Sequence, residues 1–424
     1  RVDTANAFVL LLVSGISILV LPYAKASVAR ELPDSAQTLF YALFLLCFTG
    51  LLGVTITGDA FNVFVFLEIS SLSTYVLIAQ GAHRDKRALT ASYNYLIMGT
   101  IGATFFVIGV GFLYMATGTL NMADLADRIE NQYDSRTVRA AFAFIMVGMG
   151  LKVAIFPLHL WLPNAYTYAP SAITSFLAAT ATKVAIYVML RFLFSVFQPG
   201  FLAEVPTLDL ILYPFAILAM FAASYTAILQ RDLKRMLAYS SIGQVGYMLL
   251  GIALLSESGL MATMIHLFNH GITKAALFMG VGVYVLNGGG SFYHNLRGRG
   301  KTMPWTSAAM VVAGLSLIGV PGTAGFLSKW LLVEATLEQG LWPIALLIVA
   351  SSLLAVIYVW KLIETLYLAQ PAEGLQDQNV PLMMMIPLWV MALACIYFGF
   401  DTDITLSAAR SAAEGLLAGS AGMR

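Results

Sequence analysis

Charged side chains interrupt several apolar runs of this sequence, each of which is long enough to cross a bilayer. The residues concerned are Glu68, Lys152, Lys183, Lys274 and Lys329. A charge at the centre of a spanning helix costs about 2.5–3.5 kcal/mol, so an unpaired set of this size would cost more than about 10 kcal/mol. Snorkelling to the interface explains Lys152 and Lys274 poorly, because both lie far from the ends of their runs. The set predicts groups that hold or move charge within a membrane.

Three titratable side chains also recur at helical spacing. His266, His270 and Lys274 stand at i, i+4 and i+8, so they would share one helix face. Because histidine titrates near neutral pH, this stripe could pass a proton through intervening water. Two hydrogen-bonded core histidines are the alternative interpretation. A haem is disfavoured, because ligands at i and i+4 cannot occupy its two opposite faces.

Two of the apolar runs contain helix breakers. Residues 152–163 read Lys-Val-Ala-Ile-Phe-Pro-Leu-His-Leu-Trp-Leu-Pro, and residues 319–329 read Gly-Val-Pro-Gly-Thr-Ala-Gly-Phe-Leu-Ser-Lys. Proline removes a backbone donor, and broken backbone at membrane depth is tolerated only against protein or a water-filled cavity. Paired breaks in two halves of a chain are typical of inverted repeats and their transport site. His159 lies in the first break, as a relay or a supporting residue, and a merely bent packing helix is the alternative.

The two lysines stand on opposite sides of their breaks. Lys152 precedes its break, near the C-terminal end of a half-helix, where the helix dipole favours a positive charge. Lys329 follows its break and is expected to gain less from that dipole. The sequence therefore predicts different proton affinities for these two lysines.

The overall composition identifies the kind of protein that holds these groups. The chain has 424 residues, of which 59% are apolar and only 11% are charged, and its net charge is +1. A soluble domain has about 25% charged residues, so this composition predicts an integral membrane protein. Runs of about 20 apolar residues indicate spanning helices, whereas barrel strands would be short and alternating. The charge balance gives no reason to expect a nucleic-acid partner.

The apolar runs predict an all-α polytopic fold in a single integral membrane domain over residues 1–424. Twelve spans are expected, at about 5–23, 37–57, 61–80, 87–117, 138–162, 166–197, 207–229, 233–254, 259–286, 305–336, 341–369 and 381–400. The first repeat would cover about 37–197 and the second about 207–369. The longest connection would be the loop at 118–137. Basic residues number eleven in one set of alternate loops against seven opposite, which places both termini outside.

Other residues are expected to have structural or solvated roles. Cys47 and Cys395 lie in separate apolar runs and predict packing rather than a disulfide or metal site. Lys361, beside Glu364, is expected to reach the interface, and two further histidines are placed in loops, at His83 and His294. The glycines at 288–290 do not precede a helix that could cradle a phosphate. No cofactor, bound metal or redox chemistry of the chain itself is expected.

The motifs that carry these groups resemble a known family. They are residues 61–69 around Glu68, the two breaks, Asp232-Leu-Lys-Arg-Met-Leu-Ala-Tyr-Ser-Ser-Ile-Gly-Gln-Val-Gly-Tyr, and the stripe from His266 to Lys274. They resemble the antiporter-like subunits of respiratory complex I, and more closely the D-type subunits of Mrp cation/proton antiporters. That resemblance implies fourteen helices with two inverted repeats, each with a broken helix. The twelve spans would be helices three to fourteen, so the chain, which starts at Arg1, is expected to lack the first helices.

The resemblance also implies roles for individual residues. Glu68 and Lys152 would be the charged pair of the first half-channel, and Lys183 would be the connecting lysine. The stripe would be the central relay, and Lys329 would be the lysine of the second half-channel. This chain has Asn164 and Tyr166 where complex I relatives commonly have Asp and His, a departure that resembles the D-type pattern and argues against an acid or histidine role there.

The buried titratable groups, together with this resemblance, predict a proton-translocating subunit of a multisubunit cation/proton antiporter in the inner, cytoplasmic membrane. Other membrane subunits, protons, a monovalent cation and the lipid bilayer would be its partners. A proton-pumping subunit of a complex I-like or hydrogenase-type redox complex is the alternative from the same family. From other classes, a non-transporting scaffold subunit and an organic-solute permease remain open.

Overall fold

The computed structural model describes residues 2–205, 207–287, 290–370 and 380–418, and these form an assembly of helices. Its α-helices are, in chain order, α1 Thr4–Glu31, α2 Asp34–Ile56, α3 Ala60–Ala79, α4 Arg87–Thr117, α5 Met122–Ile129, α6 Arg136–Val153, α7 Trp161–Tyr168, α8 Ser171–Leu190, α9 Gln198–Ala203, α10 Thr207–Leu218, α11 Ser224–Leu229, α12 Leu233–Ala253, α13 Glu257–Leu286, α14 Tyr293–Leu296, α15 Arg299–Thr302, α16 Pro304–Ile318, α17 Ala324–Glu338, α18 Trp342–Ile363, α19 Leu382–Phe400 and α20 Asp403–Leu417. Short 3₁₀ or π-helical segments occupy Gln80–His83, Glu130–Gln132, Arg191–Val196, Ala219–Ala223 and Glu364–Leu368. The predicted all-α polytopic fold is confirmed.

Nine helices in the described residues are long and apolar enough to cross a membrane. They correspond to nine of the twelve predicted runs. Of the other three, 259–286 is the continuous helix α13, whereas 138–162 ends as a helix at Val153 and 305–336 divides into α16 and α17. The predicted connection at 118–137 lies between α4 and α6 and contains the short helix α5. Asn121 caps α5 by accepting hydrogen bonds from the Ala123 and Asp124 amides at 3.0 and 3.2 Å.

Three helices form the interior of the molecule. The apolar stretches of α8 and α12 are 94% buried, whereas those of α4, α18 and α19 are 33% buried and face outward. Between α8 and α12, α13 packs against both and also against α17. Gly271 permits the close approach of α13 to α8, because a Cβ there would lie 3.2 Å from the Ala179 carbonyl oxygen. The helices that carry Lys183, the histidines and Lys274 are therefore those most shielded from lipid.

Candidate functional site

The first break exposes backbone groups beside a charged side chain. Helix α6 ends at Val153 because Ala154 adopts a left-handed conformation, with φ 63° and ψ 46°. The chain turns before α7 begins at Trp161, whose indole Nε1 donates a hydrogen bond of 2.9 Å to the Leu151 carbonyl oxygen. This bond satisfies one carbonyl that the helix end leaves free. Lys152 lies in the last turn of α6, at the negative end of the helix dipole.

Lys152 of α6 meets Glu68 of α3. Its Nζ lies 3.1 Å from Glu68 Oε1 and donates a second hydrogen bond, of 2.8 Å, to Ser71 Oγ. The exposed fractions of the two charged side chains are 9% for Lys152 and 21% for Glu68. These residues therefore form the ion pair expected from the sequence. Ser71, which accepts the second hydrogen bond from Lys152, lies on the same face of α3 one turn after Glu68.

The second break binds its lysine in another way. Helix α16 ends at Ile318, and Gly319 and Gly322 have φ values of 90° and 82°, which favour glycine. Lys329, in α17, donates from Nζ to the Leu317 and Ile318 carbonyl oxygens at 3.1 and 2.7 Å. None of the ion pairs in the described part of the chain involves this lysine.

The structure does not support the expectation that Lys329 gains less than Lys152 from the helix dipole at its break. The side chain reaches back across the break, and its charge faces the C-terminal carbonyls of α16, which are the negative end of that helix. Its Nζ also lies 5.1 Å from the centre of the Tyr247 ring, close enough for a cation–π contact. Both break-associated lysines are thus placed at the C-terminal end of a half-helix.

Two further lysines lie fully buried between the breaks. Lys183, in α8, donates to the Ala178 carbonyl oxygen of its own helix. Lys274, in α13, donates to the Leu237 carbonyl oxygen at 2.8 Å and to Ser240 Oγ at 2.5 Å, both in α12. Each ammonium group is therefore held by neutral oxygen atoms, an arrangement in which a lysine can lose its proton without leaving an unpaired carboxylate.

The histidine stripe connects this interior with the second break. His266 Nδ1 lies 2.8 Å from Ser328 Oγ, and the His266 and His270 rings are nearly parallel with centroids 6.1 Å apart. Neither ring nitrogen of His270 has a protein hydrogen-bond partner within the described residues, which disfavours two hydrogen-bonded core histidines. His270 lies one turn before Lys274 on α13, and this helix packs against α8, which carries Lys183, and against α17, which carries Lys329. Lys183, Lys274, Lys329, His266 and His270 thus form one cluster of buried titratable side chains.

A small internal cavity touches this cluster. Its volume is about 10 Å³, and its lining is Gln244, His266, Asn269, His270, Thr273, Ser316, Leu317, Gly325 and Ser328. A space of about 10–15 Å³ on this measure accommodates one water molecule, provided that polar groups surround it. The lining meets that requirement, so one water could bridge the histidines and α17.

The aromatic surroundings of His159 differ from those of the other site residues. Its ring stacks on Phe156 with centroids 5.1 Å apart and meets the edge of Tyr239 of α12 at 6.4 Å. The His159 side chain is buried, and its Nδ1 has no hydrogen-bond partner within the described residues. These contacts give His159 a supporting position in the first break.

Sequence patterns alone missed the hydroxyl groups that hold the charged residues, together with one buried ion pair. Ser71 and Ser328 lie one helical turn from a predicted site residue or next to one, so helical spacing could have indicated them. The ion pair joins Asp3 to Arg191, which is 6% exposed. No local pattern marks a contact between residues 188 positions apart.

The structure gives the following contacts and exposure for the residues that were predicted to have structural or solvated roles. Lys361 donates to the Ile228 and Gln230 carbonyl oxygens at 3.0 and 2.8 Å. His83 and His294 are exposed, as expected. The two cysteines are buried and unbridged, with Cys47 beside Thr74 and Cys395 beside Thr273. Of the glycines at 288–290, the first two lie outside the described residues.

The sequence profile described as NADH:quinone oxidoreductase/Mrp antiporter, transmembrane, matches residues 57–355, which include every predicted site residue. The chain belongs to this family. It is 41% identical over 399 residues to the N-type subunit of the NADH-quinone oxidoreductase of Desulforudis audaxviator, covering 91% of this chain and 78% of that one. It is 30% identical to the D-type subunit of the Na(+)/H(+) antiporter of Alkalihalophilus pseudofirmus, covering 95% and 80%.

A solved structure shows the same fold. A chain of the membrane-bound sulfane sulfur reductase, an archaeal respiratory membrane complex, superposes with a TM-score of 0.87 at 32% identity. The match covers 99% of this chain and 83% of that one. The family relationship inferred from the motifs is therefore confirmed, and it extends over nearly the whole chain.

Proposed function

We propose that this chain is a proton-translocating subunit of a multisubunit membrane complex, in a cytoplasmic membrane. The observation that carries the proposal is the cluster of buried titratable side chains between the two breaks, held by hydroxyl and carbonyl oxygens. A scaffold subunit would not need four buried lysines, since a charge inside a membrane is costly. An organic-solute permease would need a binding cavity with polar groups at the breaks. The cavity of about 660 Å³ at the first break is lined mainly by apolar side chains such as Phe156 and Leu158, and the cavity beside the histidines holds about one water.

The first step of the proposed mechanism involves the Glu68–Lys152 pair. Two unit charges about 4 Å apart attract by about 4 kcal/mol at an effective dielectric of 20. When the two side chains separate, this stabilisation is lost and Lys152 releases its proton toward Lys183. A change in the position of α3 relative to α6 would be sufficient, because the pair joins these two helices.

The later steps use the cluster. Lys183 and Lys274 exchange the proton with His270, and a water in the small cavity bridges His270 and His266. The hydrogen bond between His266 and Ser328 connects the stripe with α17, the helix that carries Lys329. Lys329 then releases the proton on the far side of the second break.

The complex to which the subunit contributes has two candidates. We favour a cation/proton antiporter, because Asn164 and Tyr166 resemble the D-type pattern and the D-type relative covers 95% of this chain. In that case a monovalent cation is exchanged for protons, and other membrane subunits complete the antiporter. A proton pump driven by a redox reaction is the second candidate, supported by 41% identity with an N-type subunit.

Proton flux in vesicles reconstituted with the assembled complex tests these proposals. A flux that needs Na⁺ or K⁺ on the opposite side supports the antiporter, and a flux that needs an electron donor and acceptor supports the redox pump. Intact complex that moves no protons under either condition would contradict proton translocation. Loss of flux in assembled Lys329→Met complex, with flux retained in Lys361→Met, would assign the activity to this chain.

A further inference from the structure

A basic cavity lies at one membrane face, separate from the proton relay. It has a volume of about 490 Å³ and is formed where the C-terminal end of α1 meets the N-terminal ends of α8 and α12. This volume is within the range of small-molecule sites. Five basic side chains line the cavity, against three acidic ones, and the basic residues are Arg84, Arg87, Arg231, Lys234 and Arg235.

Two of these acidic side chains accept hydrogen bonds from backbone amides and a hydroxyl group. The Glu31 carboxylate accepts a hydrogen bond of 3.0 Å from the Ser171 amide, at the start of α8. Asp232 accepts from the Arg235 amide at 3.0 Å, as the cap of α12, and from Ser291 Oγ at 2.5 Å. These carboxylates therefore satisfy helix N-termini, and among the described residues neither forms an ion pair with a basic side chain of the cavity.

The third acidic side chain, Asp85, is paired with one of the arginines. Asp85 forms an ion pair of 2.6 Å with Arg87, whose hydrogen bonds lower the pKa of the Asp85 carboxyl. The other four basic residues form no ion pair within the described part of the chain. Lys234 is 4% exposed and donates to the neutral Ala169 carbonyl oxygen at 3.1 Å. The cavity thus has an excess of positive charge, part of it buried.

The rim of the cavity indicates what kind of anion would bind. Leu229 and Phe292 line it and are 58% and 40% exposed. Leu229 is the last residue of a spanning helix, so the basic cavity adjoins surface that faces lipid. A free phosphate would contact only the basic residues, whereas a phospholipid would also contact the apolar rim. The distribution of Lys and Arg predicts that this face is cytoplasmic, where the leaflet is rich in anionic lipid.

We propose that this cavity binds the phosphate group of an anionic phospholipid. Arg84, Arg231 and Arg235 contact the phosphate together with Lys234, and an acyl chain lies on Leu229 and Phe292. This site goes beyond the proposed proton translocation and does not depend on it, because none of its residues belongs to the relay.

Lipid retention by the assembled complex tests the proposal. The complex is equilibrated with mixed phosphatidylglycerol and phosphatidylcholine vesicles and purified, and native mass spectrometry measures the lipid bound to this subunit. We expect preferential retention of phosphatidylglycerol. The Arg231→Gln/Arg235→Gln variant should weaken it roughly 30-fold, from about fivefold for each charge. The Arg231→Lys/Arg235→Lys variant keeps both charges, so it should keep most of the binding.

A matched control separates this site from general attraction to a basic surface. Lys25→Gln/Lys301→Gln removes the same number of charges from the same face at exposed residues outside the cavity, and it should change retention by no more than about twofold. Equal retention of both lipids, or equal losses in the two Gln variants, would overturn the proposal. Displacement of the lipid by millimolar inorganic phosphate would also overturn it, because the site would then be one for a free anion.

Discussion

The two broken helices each place a buried lysine at the C-terminal end of a half-helix, but they stabilise its charge differently. At the first break, Lys152 is paired with the carboxylate of Glu68, from a different helix, at 3.1 Å. At the second break, Lys329 is bound by the Leu317 and Ile318 carbonyl oxygens of the same interrupted helix. One lysine is therefore coupled to a second ionised group, whereas the other is coupled to the backbone conformation of the break.

This difference has a consequence for proton transfer. When Lys152 loses its proton, Glu68 remains as a partly buried, unpaired anion, so release depends on where Glu68 lies. When Lys329 loses its proton, only carbonyl dipoles remain, and these do not become a new buried charge. The first break is therefore suited to control by a neighbouring helix, and the second is suited to proton release.

The largest effect is expected from separating the pair at the first break. Glu68→Gln or Lys152→Met leaves an uncompensated buried charge, which typically costs about 3–5 kcal/mol. Because the Glu68 side chain is 21% exposed, we expect the lower part of that range. Each single variant should lose transport and much of the assembled complex. The amount of intact complex, its thermal stability and its proton flux provide the measurements.

The double variant Glu68→Gln/Lys152→Met tests the coupling itself. It removes both charges, so assembly should recover while transport stays lost. Glu68→Asp keeps the charge with a shorter reach and should retain some flux. If the stability effects of the two single changes simply add, the residues do not interact, and the proposed difference between the breaks fails.

A smaller loss of stability is expected at the second break. Lys329→Met leaves two carbonyl oxygens without their donor, a cost of about 1–3 kcal/mol, but leaves no opposite charge behind. The complex should therefore assemble while transport is lost. Lys329→Arg should also lose transport, since arginine does not release its proton in proteins. Flux and complex yield are compared with those of Lys152→Met.

Lys361→Met is the matched control for this variant. Lys361 also donates to two carbonyl oxygens at a helix end, but it lies outside the relay. We expect a similar loss of thermal stability with transport retained. Near-normal flux in assembled Lys329→Met complex would remove Lys329 from the mechanism.

The backbone of the two breaks gives a third, smaller effect. The first break places Ala154 in the left-handed region, which costs a non-glycine residue roughly 1–2 kcal/mol, so Ala154→Gly should leave stability unchanged or raise it slightly. Gly319→Ala should lower it by roughly 1–2 kcal/mol for the same reason. It should also slow transport, since the added Cβ would lie 3.1 Å from Lys329 Cδ. Unfolding temperatures that shift in the same direction for both variants would contradict this account.

The smallest effects are expected in the stripe between the breaks. His266→Ala and His270→Ala should slow proton flux without abolishing it, because water can occupy the space of a missing ring. Lys274→Ala should slow it more, since Lys274 carries a full charge in the relay. All three should assemble normally. Unchanged flux in all three variants would return the stripe to a packing role.

Much of the fold could be predicted from local features of the sequence. The length of the apolar runs is sufficient to predict spanning helices, because a bilayer imposes that length on any segment that crosses it. Proline and glycine at 157, 321 and 322 locate the breaks, since their backbone preferences act at the residue itself. The three-residue stripe from His266 to Lys274 follows from helical spacing alone.

The amino-acid sequence by itself therefore determined the fold class, the two breaks and the types of the buried titratable groups. Tertiary structure decided what holds each of them. Ser240 meets Lys274 from 34 positions away, and Asp3 pairs with Arg191 across 188 positions. Even the binding of Lys329 to Ile318, only 11 positions earlier, depends on how the chain turns between two half-helices. Such contacts form when helices pack, and because no local preference encodes the packing, only the folded molecule shows them.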